Sequence, residues 1–207
     1  MGLRTWFKSK LRLIRKDVKD STLQALRKEI ETLRKENIIL KEKVIVFPKK
    51  SDEKIPIEFV DENIEKVIIE NIRKAKRELS IAVAWFTSKT LMDELSNAKK
   101  RGVHIKIIIS NNEMNNRYIH KLISVCSIVK AVIIPEKGNK GYKNLMHNKY
   151  CIIDNKKVID GSYNWSNNAK YNLEHVIVIE NRTVAKMYQN NFDKIYNNPE
   201  YYINYNI

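Results

Sequence analysis

The chain has 207 residues, of which 43% are hydrophobic, which is enough for one well-buried domain of about 150 residues and an appendage but not for two full domains. Lys and Arg outnumber Asp and Glu by 39 to 24, and the formal net charge is +15 with a pI near 9.7. This excess predicts a polyanionic partner, namely nucleic acid, an anionic membrane or a phosphate-bearing substrate, without choosing among them.

Cysteine usage and hydropathy exclude several classes of protein. The two cysteines, Cys126 and Cys151, lie in apolar runs without C-x-x-C spacing, so neither a disulfide framework nor a thiolate zinc site is predicted. Basic residues interrupt the apolar positions near the N-terminus, and no run of 18 apolar residues exists, so neither a signal peptide nor a membrane-spanning helix is expected. We therefore expect a cytoplasmic protein.

Residues 1–19 have the pattern of a basic amphipathic helix. Lys and Arg fill the side opposite to the apolar positions, which are Leu3, Trp6, Phe7, Leu11, Ile14 and Val18. Such a helix can lie on an anionic membrane or grip a phosphate backbone. A segment that packs on its own protein or frays is an equal alternative.

Residues 20–47 carry a heptad repeat. Position a holds Leu23, Ile30, Asn37 and Val44, and position d holds Leu26, Leu33, Leu40 and Phe47. Asn37 favours a parallel pair of helices, since a lone buried amide is satisfied by its twin across the dimer axis. Glu29 faces Arg34 of a partner helix with the opposite charge, which also suits a homodimer. The repeat predicts a dimeric coiled coil, and the alternative is a helix that lies along the catalytic domain.

Residues 48–56 contain two prolines and many charges, which indicates a linker before a domain at 57–207. In that domain apolar runs alternate with helical patterns, as in an α/β sheet with covering helices. The predicted strands are 57–60, 79–86, 103–109, 129–134, 148–153, 156–160 and 174–179, and the predicted helices are 61–77, 89–101, 115–126 and 182–197.

The segment that begins at His147 predicts a phosphate site. On a strand His147 and Lys149 project to the same side, about 6.6 Å apart along the chain. Gly161 is followed by Ser162 and Asn164, whose hydroxyl and amide can converge on the same anion after a turn. Together these groups supply a nucleophile, a cation and neutral hydrogen bonds without any clustered metal ligands.

The spacing H-x-K-x(4)-D-x(6)-G-S-x-N resembles the signature of the phospholipase D superfamily, and it is met by His147, Lys149, Asp154, Gly161, Ser162 and Asn164. The stretches 82–87 and 98–103 are similar to the small bacterial endonucleases and the mitochondrial-type members of that superfamily. The resemblance covers about residues 57–197 and implies a mixed β-sheet with helices on both faces, preceded here by the predicted coiled coil.

The resemblance also implies a mechanism that uses two copies of the motif. The His of one motif attacks phosphorus, the His of the other protonates the leaving oxygen, and water then cleaves the phosphohistidine. Only one motif is present, because His104 and Lys106 are followed by Asn111 where an Asp is expected and no Gly-Ser comes after it. A homodimer with a shared active site, without metal or cofactor, is therefore expected.

The same resemblance gives each residue a role. His147 becomes nucleophile or general acid according to subunit, Lys149 and Asn164 bind the phosphate, and Ser162 assists. Glu174 is expected to hold the His147 ring through its other nitrogen. Asp154 is also a motif residue and is counted among the catalytic candidates, although a structural or orienting role is favoured for it. Lys143 and Trp165 flank the motif and are candidate substrate-binding residues.

Three functions remain open at this level. The leading one is a nuclease that cleaves DNA or RNA, because the domain has one motif and a basic balance. The second is a hydrolase or transferase of cardiolipin-type phospholipids, in which residues 1–19 contact an anionic membrane. The third is a coiled-coil scaffold or nucleic-acid-binding protein without activity, against which the intact motif argues.

Overall fold

The computed structural model describes residues 22–35, 54–134 and 144–204, except for the side chains of 202–204. Its chain divides into two units, Met1–Asp52 and Glu53–Ile207. The basic segment 1–19, the second half of the heptad repeat and most of the linker lie outside the described residues. The predicted domain boundaries in this part of the chain stay predictions.

The described part of the first unit is helix α1, residues 22–35. Its apolar heptad positions, Leu23, Leu26, Ile30 and Leu33, are each 48–55% exposed. Glu31 and Lys35 form an ion pair of 3.4 Å one turn apart, which contributes only a few tenths of a kcal/mol. Residues 22–35 are helical, in agreement with the prediction for this part of the repeat, whereas the rest of the helix and the coiled-coil dimer stay predictions.

The described part of the second unit is built on an eight-stranded sheet with the order β1-β7-β6-β5-β2-β3-β4-β8. The neighbours β2, β3 and β4 run parallel, and the remaining neighbouring pairs are antiparallel. In chain order the strands are Ile57–Val60, Glu78–Val83, His104–Ser110, Ile128–Val132, Lys149–Ile153, Lys157–Gly161, Val176–Glu180 and Tyr202–Asn204.

Helices cover both faces of this sheet. In chain order they are α2 Ile64–Lys74, α3 Lys89–Lys100, α4 Glu113–Asn116, α5 Ile119–Val125 and α6 Arg182–Tyr196. Apolar residues of α2, α3 and α5 pack on one face, and α6 packs on the other through Ala185 and Phe192. The mixed sheet with helices on both faces, as expected from the sequence, is confirmed.

Local signals set the ends of the main helices. Ser88 caps α3 by accepting a hydrogen bond of 3.2 Å from the backbone N–H of Leu91, and Asn181 caps α6 in the same way through Val184 at 3.0 Å. Gly102 follows α3 with a φ of 88°, a left-handed conformation that favours glycine.

Two predictions for this domain were incomplete. The single helix expected at 115–126 is two short helices, α4 and α5, because the Asn112 side chain caps α4 through Asn115 N–H at 2.9 Å. Strand β8 was not predicted, because it is three residues long and pairs with β4 about 70 residues earlier in the chain. A local sequence pattern does not predict such a distant contact.

Candidate active site

The motif residues meet at one edge of the sheet because of strand direction. Antiparallel pairing places the start of β5, the end of β6 and the start of β7 together, with Tyr150 opposite Asp160 and Gly161 opposite Val176. The end of β2 joins them, since Val83 lies opposite Lys149. The four elements therefore bring His147, Lys149, Ser162, Asn164 and Glu174 to a common edge.

The backbone around His147 is fixed on both sides. The hydroxyl of Ser110, the last residue of β3, donates to the carbonyl of Met146. The N–H of Ala84 donates to the carbonyl of Asn148 at 2.9 Å. These bonds attach the segment before β5 to the ends of β2 and β3, so His147 is held by rigid strands.

The imidazole of His147 lies against Trp85, with ring centroids 5.5 Å apart and ring planes at 86°. Its side chain is otherwise exposed. Partial burial lowers the pKa of His147 below its ordinary value, and the positive charge of Lys149 lowers that pKa further. Both effects favour the neutral ring, the form that a nucleophile needs.

Lys149 is a buried cation, with 8% of its surface exposed. Its ammonium donates a hydrogen bond of 2.8 Å to the carbonyl of His147, which leaves N–H groups for an anion. Burial lowers the pKa of Lys149, and the carboxylates of Glu174 and Asp160 oppose that effect. The result is a fixed positive charge beside His147, suited to the non-bridging oxygens of a phosphate.

Gly161 ends β6 at a close approach of two strands. A Cβ at this position would clash with the carbonyl of His175 and lie 2.7 Å from Cα of Val176. Ser162 continues the pairing, because its N–H donates to the carbonyl of His175 at 3.0 Å and its Oγ accepts from the N–H of His175 at 3.1 Å. The Ser162 hydroxyl can still donate its proton to a phosphate oxygen. Glycine is thus required at this position because the backbone of β7 lies too close for a side chain, and not because the chain adopts a left-handed conformation.

Two polar atoms after Ser162 are buried without a hydrogen-bond partner among the described residues. They are the hydroxyl oxygen of Tyr163 and the amide oxygen of Asn164. Buried polar atoms are normally paired, and exceptions gather at functional sites. The amide of Asn164 therefore has hydrogen-bonding capacity in reserve at the edge where His147 and Lys149 lie.

Glu174 does not hold His147 in this structure. Its carboxylate accepts a hydrogen bond of 3.2 Å from the Asn172 side chain, and no hydrogen bond to the His147 ring is found among the residues described. Its negative charge instead acts on Lys149. The neighbouring His175 stacks on Phe59 with centroids 5.6 Å apart.

Asp154 is far from this edge. It follows β5 at the opposite end from His147, and its carboxylate accepts backbone hydrogen bonds of 2.8–3.0 Å from Lys76, Arg77 and Glu78. These bonds fix the start of β2. Its inclusion among the catalytic candidates is corrected, and the structural role favoured from the motif fits its position.

The two candidate substrate-binding residues that flank the motif are Trp165 and Lys143. Trp165 is 2% exposed and packs edge-to-face on Phe86 at 5.1 Å, so its ring offers no free face for stacking and its assignment is corrected. Lys143 lies outside the described residues. His104 begins β3 opposite Glu78, at the far edge of the sheet from His147.

Sequence reasoning missed the polar residues that hold the site in place. Asn115 is fully buried, accepts a hydrogen bond of 2.8 Å from Phe86 N–H, and donates at 2.7 Å to the carbonyls of Ala84 and Ser110. It thereby joins α4 to the ends of β2 and β3 on either side of Trp85. Asn115 begins the helix predicted at 115–126 and has mostly polar neighbours, so no periodic signal could have identified its amide as buried.

The described residues contain no group of three or more His, Cys, Asp or Glu side chains placed to hold a metal ion. None of the described helices is long and apolar enough to cross a membrane.

Comparison with known proteins gives the family. Residues 68–196 match the family model described as cardiolipin synthase, PLD-like domain. The chain is 31% identical over 128 residues to a protein named phospholipase D from Rickettsia prowazekii, which covers 61% of this chain and 60% of the relative. It is 26% identical over 144 residues to a protein named mitochondrial cardiolipin hydrolase from Xenopus tropicalis, which covers 68% of this chain and 64% of the relative.

The fold has a counterpart among solved structures. The phospholipase D family member Nuc from Salmonella typhimurium superposes with a TM-score of 0.62 at 21% identity, covering 74% of this chain and 99% of that one. The mixed sheet with helices on both faces is the fold shared with that structure, and the matching family model describes a PLD-like domain. With 129 matched positions in 207 residues, the chain belongs to the phospholipase D superfamily.

Proposed function

We propose that this protein is a metal-independent phosphodiesterase that hydrolyses nucleic acid through a phosphohistidine. The observation that carries the proposal is the common edge where His147, whose neutral form is favoured, lies beside the buried ammonium of Lys149. A nucleophile next to a fixed positive charge is what attack on a phosphodiester requires. The amide of Asn164 and the hydroxyl of Ser162 add neutral hydrogen bonds at the same place.

The proposed reaction has two steps, each balanced in protons. In the first, a ring nitrogen of His147 forms a bond to phosphorus while the bond to the leaving oxygen breaks. That oxygen takes a proton from the imidazolium of the partner's His147, whose charged form the negative charge of the bound phosphate stabilises. In the second, the imidazole left by that transfer removes a proton from water, whose oxygen attacks phosphorus and releases His147. Lys149 neutralises charge on the non-bridging oxygens throughout.

One protomer has one motif histidine, so the proposal requires His147 of the partner subunit as the acid. A site shared by two identical motifs lies on a two-fold axis, and a parallel coiled coil has the same symmetry. The exposed apolar stripe of α1, Leu23, Leu26, Ile30 and Leu33, is suited to such a coil. Dimerisation through both units is therefore part of the proposal.

The basic composition supports nucleic acid as the substrate. A net charge of +15 favours binding along a chain of phosphates, where each neutralised phosphate releases counterions. The fold is also shared with the Salmonella Nuc protein, although that likeness bears on the fold alone.

A second candidate function is hydrolysis of phospholipids. The relatives from Rickettsia and Xenopus are named phospholipase D and cardiolipin hydrolase. Leu173 is fully exposed and Tyr171 is 79% exposed, immediately before Glu174 at the site. Exposed apolar side chains beside a basic site suit contact with an anionic bilayer.

One experiment separates these functions. Purified protein is incubated in excess EDTA with labelled single-stranded DNA, duplex DNA, RNA and cardiolipin vesicles, with His147→Ala as the matched control. We expect a nucleic acid to be cut in EDTA by the wild type only. Hydrolysis of vesicles alone would favour the lipid function, and activity that EDTA abolishes and a divalent ion restores would refute the metal-independent mechanism.

A further inference from the structure

A pocket of about 220 Å³ opens beside the phosphate site. Three parts of the chain form its walls, namely the segment after β2, the region of α4 and the loop after β6. The lining residues are Trp85, Thr87, Met114, Tyr118, Asn164, Ser166, Asn167 and Asn168. Two of them also belong to the active site, since Trp85 packs on His147 and Asn164 is a motif residue.

Hydrogen bonds make the pocket a preformed feature. The Oγ1 of Thr87 accepts the N–H of Asn167 at 3.3 Å, and the carbonyl of Trp165 accepts the N–H groups of Thr87 and Ser88 at 2.8 and 2.9 Å. These bonds join two of the walls. The third wall is held by the buried amide of Asn115, which bonds to the backbone on both sides of Trp85.

The lining has one chemical character. Trp85 and Tyr118 supply aromatic surface and Met114 a polarisable thioether, while the other members carry amides and hydroxyls. None of the described residues that line it is charged at pH 7. The larger pocket of about 320 Å³ differs in this respect, because Asp61, Glu65, Lys66 and Lys170 line it. The smaller pocket therefore suits a neutral, flat group with both donors and acceptors.

The volume of the pocket further limits the kind of ligand that it can hold. Pockets for drug-sized ligands occupy roughly 300–1,000 Å³, so about 220 Å³ is room for one ring system. A second phosphate would lack a cation in this lining, and a pair of acyl chains would exceed its volume. Asn164 lines this space and is also a motif residue. Its NH2 group can donate to a phosphate oxygen, and its amide oxygen, buried without a described partner, can accept a hydrogen bond from a ligand.

We propose that this pocket binds the nucleobase of a nucleotide that flanks the scissile phosphate, an inference that rests on the nuclease function proposed above. The base stacks against Tyr118 and Met114, and the amides of Asn167 and Asn168 meet its polar edge. Holding the base also holds its phosphate over His147, so the pocket raises the cleavage rate at that nucleotide.

The test uses two end-labelled single-stranded DNA oligonucleotides, identical except that one carries a tetrahydrofuran abasic residue at a single position. Cleavage is mapped bond by bond for wild type, Met114→Ala and Tyr118→Leu. Tyr171→Ala is the control, because Tyr171 is also an exposed aromatic but does not line the pocket. Circular dichroism checks folding. Met114 is 46% exposed on a short helix, so Met114→Ala should leave the fold stable.

For wild type, one of the two bonds that flank the abasic residue should be cut roughly 5- to 100-fold more slowly than the same bond in the parent, as expected for loss of one stacked base. Met114→Ala and Tyr118→Leu should bring that ratio close to one, and Tyr171→Ala should keep the wild-type ratio. Equal cleavage of the abasic and parent bonds by wild type, or unchanged ratios in both pocket variants, would overturn the inference while leaving the nuclease function intact. If the wild type cuts neither these DNA oligonucleotides nor RNA oligonucleotides of the same design, the nuclease function itself fails, and the inference with it.

Discussion

Substitution of Asp154 tests whether this motif residue has a structural role or a catalytic one. Its carboxylate accepts three backbone hydrogen bonds at the start of β2. A hydrogen bond to a charged group contributes roughly 1.5–3 kcal/mol when well shielded. These bonds are partly exposed and share one carboxylate, so we expect Asp154→Ala to lower the free energy of unfolding by about 2–4 kcal/mol.

Asp154→Asn is the matched variant. Asn tolerates the left-handed backbone of this residue, whose φ is 52°, and it keeps the oxygen that serves Arg77 and Glu78, so the expected loss is about 1–2 kcal/mol. Urea unfolding followed by circular dichroism measures both losses as shifts of the midpoint at constant slope. The cleavage rate of the folded fraction should stay within about threefold of wild type.

The pH dependence has a definite sign. Burial raises the pKa of Asp154, but the N–H groups of Glu78, Lys76 and Arg77 outweigh it and the pKa is lowered overall. A lowered pKa in the folded state gives stability that is present above the unfolded pKa and is lost as the pH falls through the folded one. The gap between wild type and Asp154→Asn should therefore be widest near pH 7 and close in acid. A stable Asp154→Asn protein that is slowed a hundredfold would refute the structural assignment.

Three further predictions concern the site and the dimer. His147→Ala should reduce the rate by about three decades or more with an unchanged thermal melt, and a folded, active variant would contradict the assignment. Lys149→Met removes a positive charge that lowers the pKa of His147, so the acid limb of the pH–rate profile should move to higher pH while the rate falls on the order of 100-fold; an unmoved limb would argue against this coupling. Deletion of residues 1–47 should weaken self-association in sedimentation equilibrium, and an unchanged dissociation constant would exclude the coiled coil as a dimer contact.

The sequence predicts those features that local patterns encode. Helix α3 and strand β5 were placed to within about one residue, because Gly102 ends the helical pattern of α3 and the apolar run 150–153 marks β5. The His147 to Asn164 spacing predicted that His147, Lys149, Ser162 and Asn164 lie close together, and the antiparallel pairing of β5, β6 and β7 places these positions at one edge. Their catalytic roles stay predictions.

What the sequence does not predict depends on contacts between distant segments. Trp165 looks like a free aromatic beside the motif, yet its pairing with Phe86 buries it. Asn115 begins a predicted helix and Ser110 follows a predicted strand, and neither position is marked as buried by the sequence. Their hydrogen bonds nevertheless fix the backbone on both sides of Trp85 and the carbonyl of Met146. The expected hold of Glu174 on His147 came from the family resemblance alone, and this structure shows Glu174 bonded to Asn172 instead.

The most direct test of the shared active site is a mixing experiment with wild-type and His147→Ala chains. The two are tagged differently, exchanged under conditions where mixed dimers are verified by native mass spectrometry, and assayed at constant total protein. A mixed dimer has one motif histidine and cannot supply both nucleophile and acid, so an equal mixture should retain about a quarter of the wild-type activity. Activity in strict proportion to the wild-type chain, about half in the same mixture, would show that each protomer works alone and would contradict the shared site.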